Sequence, residues 1–124
     1  MVSIIKTISK WIPLGTVSEI SVVDLNSDLN SSDNDIQILD VRTRLEWKSG
    51  HIPGSLNIPI TQLNSEIGSL TLDKSKPVVT ICLSAHRSIP AVRALQEAGY
   101  QNVKQLSGGM IAWNKNHKHI LVKA

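Results

Sequence analysis

The chain has 124 residues, a formal net charge of +3 and a pI near 9.2, with 41% hydrophobic and 19% charged residues. That is one domain by length, with enough apolar residues to bury a core, and it excludes a disordered chain. No run reaches the roughly 18 apolar residues that cross a bilayer. The scattered lysines form no basic stripe for nucleic acid. Lone Cys82 excludes an internal disulfide and a CxxC-type zinc site.

In chain order, Ile4, Ile5, Ile8, Trp11 and Ile12 recur at helical spacing around Lys6, Thr7, Ser9 and Lys10. Lys6 and Lys10 interrupt what would be the apolar region of a signal peptide, and no small-residue cleavage site follows. Residues 1–16 therefore read as an amphipathic lead segment, a short helix packed on its own domain. The sharper alternative is membrane-surface or partner contact through residues 1–12. Residues 17–124 form the domain proper.

Ser21, with Asp24 three residues on, predicts the cap of a helix carrying Val22, Leu25 and Leu29 inward. Asn30–Asp35 is loop, and Ile36–Val41 is a buried strand ending on Asp40. Thr43–Glu46 has the capping-box pattern, opening a short helix that Gly50 can stop. Pro53-Gly54 marks a turn, Leu56–Ile58 a brief strand, and Leu63, Ile67 and Leu70 one face of a further helix. Val78–Cys82 is a central strand, Ser88–Ala98 a helix with Pro90 in its first turn, Val103–Leu106 a strand and Met110–Asn116 a last helix. With no Phe, and only Tyr100, Trp11, Trp47 and Trp113 as aromatics, the core is aliphatic. Alternating strands and helices on short connections predict an α/β domain with a mainly parallel central sheet and helices on both faces.

The chemistry-bearing stretch is Val78–Ser88. A strand delivers Cys82 to its carboxyl end, where parallel sheets bind ligands, and a helix begins about five residues later. A loop there can gather backbone N–H groups and a helix N-terminus onto one spot, and positive potential favours thiolate over thiol. Arg87 adds a permanent cation with a planar fork suited to oxyanions. These residues predict an anionic, exposed sulfur. Otherwise Cys82 merely ends a buried strand and Arg87 is a solvated first-turn residue.

Three segments resemble the rhodanese domain. Asp40-Val41-Arg42 with Glu46, Gly50–Ser55 and Asn57–Pro59 are similar to its first signature, and Cys82–Ser88 to its active-site loop. Gly99-Tyr100, Asn102-Val103, Leu106, Gly108-Gly109 and Ala112-Trp113 are similar to its closing segment. The likeness runs from about Ile20 to about His117. It implies a rhodanese-like fold and a thiosulfate-type sulfurtransferase in the cytoplasm, without metal or organic cofactor. Cys82 and Arg87 would be catalytic, with Leu83, Ser84, Ala85, His86 and Ser88 forming the substrate loop. Cys82 would take the outer sulfur of a small anionic donor as a persulfide and pass it to a thiol or protein acceptor.

Four residues separate Cys82 from Arg87, where the related phosphatases and arsenate reductases carry five, so the cradle suits sulfur better than phosphate. Ala85 stands where the family often has Gly; if that position needs a positive φ, Ala is strained by about 1 kcal/mol. Asp40 reads as structural, holding loop N–H groups, and Arg42 and Glu46, four apart, as an ion pair supporting the segment before His51. His51 resembles a structural family histidine, while His86 is solvent-facing and His117 and His119 lie in a basic tail. Trp113 is core, and Trp47 rests on the surface near the site. The competing reading is a rhodanese-fold binding or regulatory module without catalysis.

Overall fold

The computed structural model describes residues 15–117. The lead segment up to residue 14, with its expected helix, and His119 lie outside the described residues.

The elements are β1 (Glu19–Ile20), α1 (Val22–Leu29), β2 (Gln37–Asp40), α2 (Arg44–Ser49), β3 (Leu56–Asn57) and α3 (Ile60–Glu66). After a 3₁₀ turn (Ile67–Ser69) come β4 (Val78–Ile81), α4 (Ser88–Glu97), β5 (Val103–Leu106) and α5 (Gly109–His117). The strands form one sheet in the order β1-β5-β4-β2-β3, and every pairing is parallel. The expected α/β architecture is therefore the observed one. β4, flanked on both sides and buried throughout, is the apolar run Val78–Ile81.

Local chemistry explains the helix starts. Ser21 Oγ accepts from Asp24 N–H at 3.0 Å to cap α1. At α2 the capping box closes reciprocally, with Glu46 N–H on Thr43 Oγ1 and Thr43 N–H on Glu46 Oε1. One expectation fails at α3, where a single helical face was to run through Leu70. Gly68 and Ser69 carry the helix poorly, so it tightens into a 3₁₀ turn after Glu66, and Leu70 adopts an extended ψ of 136°. β1 had no sequence signal. Two residues are too few for periodicity, and the strand exists because β5 binds it through Gln105 N–H to Ser18 C=O and Ser107 N–H to Ile20 C=O.

Strand alternation divides the core in two. Val78 and Cys82 face one layer, where Leu63 of α3 and Ala91, Val92 and Leu95 of α4 are buried. Val79, Ile81 and Leu106 face the other, against Val22 and Leu25 of α1 and Met110 and Trp113 of α5. Trp113 is core, as expected.

Candidate functional site

Cys82 directly follows β4, at the carboxyl edge of the sheet, and the loop to α4 folds over it. One expectation needs correcting here: the sulfur residue is only 1% exposed, and it is Leu83, Ser84 and His86 that meet solvent. β4 points Cys82 into the α3–α4 layer, so the loop and not the strand end forms the surface.

The N-terminus of α5 holds the loop from the other side. Met110 N–H donates to the Cys82 carbonyl at 2.8 Å, and Ile111 N–H to the Leu83 carbonyl at 3.1 Å. Helix N-termini carry unsatisfied donors, and here two of them fix two consecutive carbonyls of the loop. The approach is close enough to demand glycine. Gly109 has φ +59°, and a Cβ there would overlap the Cys82 carbonyl oxygen and stand 2.6 Å from that of Leu83. With the carbonyls drawn towards α5, the amides from Leu83 to Arg87 donate to no protein group among the described residues.

Ala85 has φ +81°, the only non-glycine with positive φ among the described residues, so the condition attached to this position, where the family often has Gly, is met. An L-residue in that region is strained by about 1 kcal/mol.

The supporting ion pairs differ from the expected set. Arg42 does not pair with Glu46. Arg42 lies against Asp40, with Nη2 2.8 Å from Oδ2 and Nε 3.0 Å from Oδ1, and both residues are buried. Nη2 also donates to the Gly50 carbonyl, and Asp40 Oδ1 accepts from the Arg42 amide, a loop N–H as foreseen. Glu46 instead meets Arg87 fork to fork, at 2.8 and 2.9 Å. The reason is geometric: Arg42 precedes the Thr43 cap and turns inward, so it does not share a helical face with Glu46.

The Arg87 hydrogen bonds, the largest effect, bring the Glu46 carboxyl from 4.5 to about 2, and the same contact raises the Arg87 guanidinium. The fork expected to await an oxyanion is thus filled by Glu46. That carboxylate ties the cysteine loop to α2.

His51 is structural, as expected: Nδ1 lies 2.7 Å from the Trp47 carbonyl and the ring stacks on Trp47 at 3.8 Å. Trp47 is half-buried and donates Nε1–H to Ser55 Oγ. His86 is exposed, with Nδ1 3.3 Å from Ser84 Oγ.

Three polar residues near the loop escaped sequence reasoning or were underused by it. Thr80 and Gln105 are buried register partners on β4 and β5, and Ser88 is buried where α4 begins. Thr80 Oγ1, Ser88 Oγ and Gln105 Oε1 have no hydrogen-bond partner among the described residues. The available signals were a lone Thr within Val78–Ile81 and a Gln at a strand position that alternation turns inward.

Together, the all-parallel sheet and a cysteine under a four-residue loop at its carboxyl edge define an α/β protein whose candidate site lies between a central strand and the helix that follows it. A family model for the rhodanese-like domain matches residues 22–116, and the chain belongs to that family. It is 33% identical over 100 residues to a sulfurtransferase of Allochromatium vinosum, covering 81% of this chain and 91% of that one. It is 38% identical over 81 residues, 64% of this chain, to the HTH-type transcriptional regulator Rv0324 of Mycobacterium tuberculosis. The chain spans about a third or less of the length of the mycobacterial relatives it matches. Among solved structures, a rhodanese-related protein of Thermoplasma volcanium superposes with a TM-score of 0.75 at 29% identity, covering 87% of this chain and all of that one. Among the described residues no helix is long and apolar enough to cross a membrane.

Proposed function

We propose that the protein moves sulfane sulfur through a Cys82 persulfide. The Cys82 thiolate attacks the outer sulfur of a donor such as thiosulfate. The donor's S–S bond breaks, sulfite leaves with the bonding pair, and the terminal sulfur of Cys82–S–S⁻ carries the charge. An acceptor thiolate then attacks that sulfur, and Cys82 departs as thiolate. The observation that carries this reading is the loop's division of labour. Its first carbonyls are committed to α5, while the five amides from Leu83 to Arg87 have no protein acceptor among the described residues and in this reading receive the anionic sulfur. In this reading Arg87 adds positive charge at the loop's end, held in place by Glu46, and no metal or organic cofactor takes part. Relatives named as sulfurtransferases support the assignment.

Incubation with thiosulfate followed by intact-mass measurement should show one added sulfur, absent in Cys82→Ser. A second reading, a binding or regulatory module of the same fold, is favoured by the burial of Cys82 and by the occupied Arg87 fork. If no sulfane donor adds mass to the native protein, the module reading replaces catalysis. Hydrolysis of an aryl phosphate at a rate rivalling sulfur transfer would instead mark a phosphatase.

A further inference from the structure

The guanidinium groups of Arg42 and Arg87 both stand at the carboxyl edge of the sheet, and each already has a carboxylate. Arg42 is committed to Asp40 and to the Gly50 carbonyl. Arg87 meets Glu46 through both terminal nitrogens, at 2.8 and 2.9 Å. Glu46 is also fixed from its own helix, since Oε1 accepts the Thr43 N–H at 2.9 Å in the capping box. The raised Arg87 guanidinium owes most to the Glu46 hydrogen bonds, with smaller pulls of the same sign from the negative charges of Cys82 and Asp40. Arg87 is thus within electrostatic reach of the reacting sulfur, yet its charge is matched and its end-on fork is filled. Side-chain exposure of 34% for Arg87 and 29% for Glu46 leaves the pair open to solute ions.

Charge counting separates two classes of sulfane donor. Thiosulfate brings two negative charges to the Cys82 thiolate, and the sulfite that leaves still carries two. An alkyl persulfide reacts as neutral RS–SH. The Cys82 thiolate attacks its outer sulfur, the donor's S–S bond breaks, RS⁻ leaves with the bonding pair, and Cys82–S–SH results. Only one negative charge is present throughout. Like charges a few ångströms apart repel strongly in a partly buried site, and a free guanidinium is the group that offsets this for an oxyanion. Glu46 withholds that group from the dianion and takes little from the neutral donor.

We propose that Glu46 is a specificity-determining residue: by occupying the Arg87 fork it disfavours dianionic oxyanion donors and makes alkyl persulfides the preferred sulfur source. The inference rests on the sulfur-transfer reading above and narrows its donor. A purely structural tether between α2 and the cysteine loop would affect both donors alike.

Both donors leave the same product on Cys82, so intact-mass time courses of the full chain give a loading rate for each. In the native protein 2-hydroxyethyl persulfide should load faster than thiosulfate; the reverse order overturns the proposal. Glu46→Gln preserves the capping box, because Gln serves at that helix position as Glu does, and removes the charge. The ratio of thiosulfate to persulfide rates should rise about tenfold in this variant, the scale of one charge-assisted hydrogen bond. Comparing ratios between proteins cancels the intrinsic reactivities of the donors. Sodium sulfate should slow persulfide loading of Glu46→Gln more than sodium chloride does at equal ionic strength, while the native protein responds alike to both salts. A ratio unchanged or lowered in Glu46→Gln, or an equal response of the two proteins to sulfate, overturns the role of Glu46 and leaves sulfur transfer standing. If neither donor adds sulfur to native Cys82, the transfer reading falls and this inference falls with it.

Discussion

Replacing Gly109 by alanine tests whether α5 holds the cysteine loop in shape. The new Cβ would overlap the Cys82 carbonyl oxygen and lie 2.7 Å from the Leu83 carbonyl carbon, both backbone atoms that cannot rotate away. The φ of +59° alone costs an L-residue about 1–2 kcal/mol, offset by about 0.4–1 from the stiffer unfolded chain. Relieving the overlap requires α5 to retreat, which weakens the bonds from Met110 and Ile111, each worth about 1 kcal/mol. The total is about 3 kcal/mol, a large share of the roughly 5–15 kcal/mol that holds a domain together. Gly54→Ala is the matched control. Its φ is +83° but its Cβ would meet nothing within 4 Å, so only the backbone cost of about 0.5–1 kcal/mol remains. Urea unfolding of both variants gives the comparison, and thiosulfate loading should fall in Gly109→Ala while surviving in Gly54→Ala. If Gly109→Ala unfolds no more easily than Gly54→Ala, the clamp does not exist as described.

Ala85→Gly should leave stability within about 1 kcal/mol of the native protein by calorimetry, because relief of the positive φ is offset by a freer unfolded chain; a loss of several kcal/mol would show that the Ala85 methyl group is essential packing. The Glu46 carboxyl titrates lower in the folded protein, at about 2 against 4.5. Its contribution is therefore complete above pH 4.5 and lost as the pH falls towards 2. Solvent screening of this partly exposed pair limits that contribution to about 1 kcal/mol, and Glu46→Gln should flatten the stability–pH curve in that window; an unchanged acid slope would refute the assignment. Arg42→Met should cost about 3–5 kcal/mol, since it strands the buried Asp40 carboxylate, whereas a cost under 1 kcal/mol by urea titration would mean that Asp40 finds another partner. Double-mutant cycles should find coupling between Glu46 and Arg87 and none between Glu46 and Arg42; the reverse pattern would restore the pairing that sequence spacing suggests.

Much of this protein was legible as local chemistry. The caps at Ser21 and Thr43 bond only to residues three positions away, so short-range pattern suffices to find them. β4 could be read because its residues are apolar in any centre of a parallel sheet. The conformation of Ala85 was raised only as a condition, by the resemblance to a family that often has Gly there; the residue itself carries no signal, and the structure supplied the φ of +81°.

What the chain order could not reveal are the contacts between residues far apart in it. Glu46 and Arg87 are 41 positions apart, and an i,i+4 rule offers Arg42 first; only the packing of α2 beside the cysteine loop makes the distant partner the near one. The burial of Cys82 depends on a loop folding over it and a helix from the end of the domain pinning that loop, so a strand-end position misleads about access. β1 exists only as a partner of β5, and the row Glu19–Gln105–Thr80 is written by register across three strands. Sequence alone determined which residues are apolar or capped, because those properties are local. The tertiary structure decided which charge neutralises which, and whether the sulfur faces water, because those depend on distances through space that chain spacing does not encode.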